Sequence, residues 1–202
     1  MEVALDEAVV VSLRRETRLH HHSLEDLLQL VSPLSRARYV AALKGFQHFL
    51  LAWESRIGAL LPTRLCEWFA GRSRYGLLLE DIRVLEIELL ISPEAEAACA
   101  RAVRSIELDN LEAVFGSMYV LEGSALGGRV ITVQVGETLG LGPASGAAYF
   151  NGFGFKTAAR WNDFRDRLEA EVGVEPKARR EACRAAAQTF DALIATFTAL
   201  RS

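Results

Sequence analysis

Cysteine is scarce in this chain: three among 202 residues, at Cys66, Cys99 and Cys183. They are widely spaced, odd in number and fit no Cys-x-x-Cys or Cys/His pattern. This excludes a disulfide framework and leads us to expect a reducing cytoplasm. Histidine is nearly as scarce, and its four copies all stand in the first quarter of the chain. A zinc site with a late His-x-x-x-His arm is thereby excluded. Charge of one sign is missing too: 23 Lys+Arg against 26 Asp+Glu leave a net −3. Such a balance gives no global pull towards nucleic acid or anionic membrane. No uncharged apolar run approaches the roughly 18 residues of a membrane span. The opening MEVALDEAVV is acidic and lacks the cationic start of a signal peptide. Strand alternation is absent as well; Val130–Val135 comes nearest, and we read it as helix.

Half the residues are hydrophobic and 24% charged, which fits a soluble globular protein. A chain of this length buries roughly 70% of its unfolded surface, so it needs no covalent staple. Residues 1–202 read as a single all-α domain of about seven to nine helices. The first is expected over Leu5–Val31. The second opens at Ser32-Pro33, Ser32 as N-cap and Pro33 at the first helical position, and runs to about Leu61. Pro62 to Gly71 makes a short third segment, and Tyr75–Leu90 a fourth. Ser92-Pro93 then opens a helix to about Ser105. Leu108–Leu139 reads as helix interrupted by glycine, Gly140–Gly154 as a long loop, and Lys156–Val172 and Pro176–Leu200 as the last two helices.

Two stretches carry chemistry. The first is LRRETRLHHHSLE, Leu13–Glu25, with His20, His21 and His22 side by side. On a helical wheel, His20 falls within the apolar stripe, His21 at its edge and His22 towards solvent. Glu25 lies four residues after His21 and so neighbours it on one face. A metal-ligating imidazole commonly gives its other N–H to such a carboxylate. Arg14, two turns back on that face, suits the carboxylate of a ligand buried at one end and charged at the other.

The second stretch, Leu121–Arg129 (LEGSALGGR), lies on a glycine-rich helix. Gly116, Gly123 and Gly127 fall within about 40° of one another on the wheel, and Gly128 adds a fourth. Each interior glycine costs about 1 kcal/mol relative to alanine, so the strip calls for a reason. Close helix packing through Gly123-x-x-x-Gly127 is one. Approach of backbone to a large planar ligand is the other, with the Gly127-Gly128 pair free to kink and Ser124 the nearest hydroxyl.

Together the two stretches resemble heme oxygenase. The family's proximal motif, LR-x-x-T-x-x-x-H-x-x-x-E, stands as Leu13-Arg14, Thr17, His21 and Glu25, and its distal G-x-x-x-G-G as Gly123, Gly127 and Gly128. The resemblance covers most of the chain. It implies heme sandwiched between a proximal and a glycine-kinked distal helix, with His21 rather than His20 as iron ligand and Glu25 as its hydrogen-bond partner. It further implies Arg14 as a propionate contact, Thr17 and Tyr119 in the cofactor-binding set, and a late basic helix offering Arg165, with Lys156 and Arg160 behind it. Gly123, Ser124, Gly127 and Gly128 form the expected catalytic wall. Two positions depart from the family pattern: Ser124 stands where well-studied members carry an aspartate, and Met118 where a tyrosine is expected, with Tyr119 adjacent.

The implied activity is oxidative cleavage of heme to biliverdin, carbon monoxide and ferrous iron. It uses O2 and an external donor such as a ferredoxin or an NADPH-dependent reductase, and a bilin-using photoreceptor is a possible consumer of the product. A heme-binding or heme-delivery protein without turnover is the alternative. A di-iron carboxylate bundle would need paired Glu-x-x-His motifs, which this chain lacks.

Overall fold

The computed structural model describes residues 7–31 and 33–201, and every regular element among them is helical. In order these are α1 (Val9–Glu16), α2 (Arg18–Leu28), α3 (Arg36–Leu60), α4 (Thr63–Ala70), α5 (Tyr75–Val84) and α6 (Pro93–Arg104). There follow α7 (Leu111–Leu139), α8 (Ala148–Asn151), a 3₁₀ turn (Gly154–Lys156), α9 (Thr157–Val172) and α10 (Pro176–Ala199). The all-α expectation holds. Ten α-helices exceed the expected number because the first splits at Thr17 and the long loop contains α8.

Several boundaries move, each for a local reason. Leu5 and Ser32 lie outside the described residues, so the expected start and the Ser32 cap are not described. Pro33 is not the first helical residue: α3 starts at Arg36, and the Ser35 hydroxyl accepts from the Arg38 N–H at 3.2 Å. Ahead of it, α2 ends where Gln29 turns left-handed (φ 48°), short of Val31. Helix α5 stops at Val84 rather than Leu90, because Glu86 adopts φ 52° and the Ile87 N–H closes back onto the Ile82 carbonyl at 2.9 Å. Ser92 and Pro93 do open α6, with the Ser92 hydroxyl accepting from the Ala95 N–H. Helix α7 runs unbroken through Val130–Val135.

The long helices α3, α7 and α10 carry most of the core, including Phe49, Ile57, Phe115, Met118 and Leu193. A buried polar chain ties all three. Trp53 Nε1–H donates to Ser117 Oγ (2.9 Å), Ser117 and Thr189 hydroxyls pair at 2.7 Å, and Thr189 Oγ1 donates to the Ala185 carbonyl. Where α7 crosses α10 the backbones touch: a Cβ at Gly116 would sit 2.0 Å from the Ala182 carbonyl oxygen.

Two helices take their N-terminal caps from distant carboxylates. Ala8 offers α1 no side-chain cap, so Glu169 of α9 accepts from the Val9 and Val10 N–H groups at 3.0 and 3.3 Å. Likewise Asp81 of α5 accepts from Ala148 and Tyr149 N–H, both at 2.8 Å, and seats α8. Burial pushes the Asp81 carboxyl above its ordinary pKa, and these two N–H groups partly offset the shift.

Candidate heme site

The histidine triplet sits on α2 one turn after the buried Thr17, whose carbonyl accepts from the His21 N–H at 2.9 Å. The His21 side chain is 56% exposed, and its Nδ1 lies 3.2 Å from Glu25 Oε2. A carboxylate only accepts, so this proximity suits a proton on Nδ1 and a lone pair on Nε2. Two rings stand edge-to-face with the His21 imidazole, Phe190 of α10 with centroids 5.8 Å apart and His22 at 6.3 Å. His22 is equally exposed and its Nδ1 approaches the same Glu25 oxygen at 3.4 Å. His20 is the least exposed of the three; its Nε2 lies 3.7 Å from Asp191 Oδ1, and its Nδ1 is buried without a partner among the described residues. Glu25 thus serves two imidazoles, which the helical spacing alone had assigned to one.

Helix α7 meets this end of the chain through Tyr119. Burial raises the Tyr119 hydroxyl's pKa, while the Arg14 guanidinium and the Thr17 hydroxyl facing it pull the other way. Met118 points into the core with no exposed surface. The tyrosine that faces α1 therefore stands one position later than the family pattern has it. One turn beyond Tyr119 comes Gly123, whose nearest neighbour at a notional Cβ is the Trp161 ring at 3.8 Å.

The four glycines divide into two kinds. Gly116 and Gly128 are packing positions: their missing Cβ atoms would strike the Ala182 carbonyl oxygen at 2.0 Å and the Phe150 carbonyl oxygen at 2.4 Å. Gly123 and Gly127 are not squeezed by a neighbouring helix, and nothing lies within 4 Å of a Cβ built at Gly127. Helix crossing therefore explains the outer pair; of the inner pair Gly127 is open, and Gly123 touches only the Trp161 ring. Exposed Leu126 and Val130 flank it with apolar surface.

Ser124 stands on this wall held from both sides. Its hydroxyl donates to the Leu121 carbonyl (2.7 Å) and accepts from Arg74 Nη2 (2.9 Å). Arg74 is 7% exposed, also donates to the Leu121 carbonyl at 2.7 Å, and lies over the Tyr149 ring. Two residues earlier, Arg72 grips Glu122 through Nε and Nη2 and reaches Asp163 and the Arg160 carbonyl. Arg72-Ser73-Arg74, between α4 and α5, is thus a clamp on the back of α7 that motif reading did not single out. Its residue types gave no signal, since buried and exposed arginines look alike in a string.

The late basic residues scatter. Arg165 is exposed on α9. Lys156 lies near the Phe155 ring, and Arg160 covers Phe153 and donates to the Gly71 carbonyl. Those two line an open groove with Trp68 and Arg72 on the α4 side rather than joining the histidine helix.

An imidazole with a carboxylate beside its Nδ1 and backbone left bare at Gly127 are a donor and a flat wall of the kind heme takes, so the residues present fit that group. Among the described residues, the one cluster of three or more metal-ligating side chains is His21, His22 and Glu25, all exposed.

The described residues define an all-helical protein whose histidine helix and glycine helix are joined through Tyr119. Residues 7–199 match the family model for heme oxygenase, and the chain belongs to that family. A curated heme oxygenase of Xanthomonas campestris is 32% identical over 95 residues; the match covers 46% of this chain and 50% of that one, so the chain spans about half the relative's length. Heme oxygenase from Leptospira interrogans superposes with a TM-score of 0.74 at 17% identity, covering 95% of this chain and 99% of that one. The Synechocystis enzyme, solved in complex with heme, gives 0.72 at 17% identity over 95% and 91% of the two chains. The Neisseria meningitidis enzyme, solved bound to NO and to CO, gives 0.70 at 21% over 95% and 92%.

Proposed function

We propose that this chain binds heme between α2 and the Gly123–Gly127 strip and opens the ring to biliverdin, carbon monoxide and ferrous iron. The observation that carries the reading is the pairing of His21 Nδ1 with Glu25, which leaves Nε2 as a ligand, in a chain whose distal glycine strip is not consumed by packing. When bound, heme is both substrate and the centre that activates O2, with electrons from a ferredoxin or an NADPH-dependent reductase. The residues of the chain do the rest. His21 ligates as a neutral imidazole held in one tautomer by Glu25. Gly123 and Gly127 keep side chains off the distal face, leaving room for a small ligand and crowding it from the backbone side. Arg14 and Tyr119, with Thr17 behind them, offer a cation and a hydroxyl to a carboxylate at the ring edge; Arg165 is a second cation for the same purpose. Gripping the carboxylates fixes the rotation of the ring, and with it the carbon that reacts.

A second reading, heme binding without turnover, is favoured by one observation: the Ser124 proton is committed to the Leu121 carbonyl rather than to the open face. The optical spectrum after hemin addition tests the ligand. His21→Ala is expected to lose the histidine-ligated Soret signature while His20→Ala keeps it; the reverse pattern overturns the choice. Adding reductant and O2 then separates the readings, since an unchanged Soret band with no biliverdin absorption sinks the enzyme.

A further inference from the structure

Arg74 is a cation in an unusual place, buried directly behind the glycine strip and not used by the reading above. Its Nη2 donates to two neutral acceptors, the Leu121 carbonyl and the Ser124 hydroxyl, and among the described residues no carboxylate forms an ion pair with it. The near carboxylates are otherwise engaged. Glu122 is taken by both arms of Arg72, and Glu54 of α3 accepts from Ser73 Oγ at 2.7 Å. Glu54 is close enough to feel the Arg74 charge, which lowers its pKa against a larger upward push from burial. From α8, the ring face of Tyr149 covers the guanidinium. A buried guanidinium without a bonded counter-charge is expensive.

Ser124 shows what that cation does. A hydroxyl has one proton and two lone pairs. Its proton goes to Leu121, one lone pair takes Arg74, and a single lone pair remains. We propose that Arg74 is the positioning residue of the distal wall: it holds Ser124 as an acceptor-only group and places a fixed positive charge behind the glycine strip, favouring anionic over neutral ligands on the distal face of the heme. Arginine cannot pass on a proton, so its contribution is orientation and field, not relay. This rests on the heme reading above.

The test uses the hemin-loaded ferric protein at pH 8, titrated optically with azide (anionic) and imidazole (neutral). Arg74→Gln is expected to weaken azide about tenfold, the order for one charge roughly 10 Å away at an effective dielectric constant of about 20. Imidazole affinity should stay within about threefold, because a loss of packing alone would move both probes together. Arg74→Lys is expected to keep most of the azide affinity. Glu54→Gln removes a facing negative charge and should tighten azide about threefold, the opposite sign. Equal changes for both probes, or none, in Arg74→Gln overturn the proposal. If that variant does not fold, a Glu54→Gln protein with no selective gain for azide overturns it instead. Absence of a Soret band in the wild type sinks the heme reading and the proposal with it, whereas a normal band with an unchanged azide preference sinks the proposal alone.

Discussion

A glycine next to a glycine can have opposite reasons for being there, and Gly127 and Gly128 separate them. A Cβ at Gly127 meets open space, so Gly127→Ala removes a helix-interior glycine and should stabilise the unliganded protein by about 1 kcal/mol. That is roughly 2–4 °C in melting temperature for a chain of this size. The same methyl intrudes on the strip proposed to face heme, so hemin affinity should fall. Gly128→Ala puts its methyl 2.4 Å from the Phe150 carbonyl oxygen and should destabilise by about 1–3 kcal/mol. Thermal melts and hemin titrations of the two variants check the contrast; parallel behaviour would remove the distinction between ligand-facing and packing glycines. Glu54 makes a second residue-scale test. Burial raises its folded pKa above the unfolded value, so the fold favours the protonated form, and the stability from this group is lost as pH rises through the folded pKa. Glu54→Gln removes that dependence, and its stability relative to wild type should improve between pH 4 and pH 8. Melting curves at the two pH values decide it.

Elements were legible wherever their ends are written locally. Ser92-Pro93 opens α6 because a hydroxyl and a proline suffice to start a helix. Pro33 does not open α3, because Ser35, three residues ahead of the Arg38 N–H, caps it. Helix α8 was invisible inside Gly140–Gly154, since its start is held by Asp81, 67 residues away. The site divides in the same manner. His21 with Glu25, and Gly123 with Gly127, are spacings within one helix and could be read from the string. Arg72 and Arg74 could not, because their burial exists only once the α4–α5 link, α7 and α9 have met. Interactions between elements also yield a prediction. Ser117→Ala leaves the Trp53 indole N–H buried without an acceptor, joining α3 to α7 by contact alone. Orphaning that donor should cost about 1–3 kcal/mol. A denaturant titration with an unchanged slope and a lower midpoint is the expected result, and a neutral effect would mean the Trp53–Ser117–Thr189 chain does not hold the three helices together.

Across the molecule, the proposed heme walls differ from the scaffold in how they are supported. Helix α10 packs against α1, α2, α3, α6, α7 and α9, and its Ala182, Ala185 and Ala186 are fully buried. By contrast, α2 carries one buried residue, Leu24, and rests mainly on α10; α1 leans on α9 through the Glu169 cap. Local stability follows buried contacts, so α1–α2 should open more readily than the α3–α7–α10 core. A ligand that binds only the closed arrangement stabilises it by mass action. At a hundredfold excess over the dissociation constant the gain is about 2.7 kcal/mol. Hemin should therefore raise the melting temperature by roughly 5–11 °C at about 2–4 °C per kcal/mol. Hydrogen exchange places the gain: protection is expected to rise in α1, α2 and the Tyr119–Val130 part of α7, with little change in α3 and α6. Uniform protection along the chain, or a gain confined to the Trp68–Arg160 groove, would show that hemin acts elsewhere than between His21 and the glycine strip.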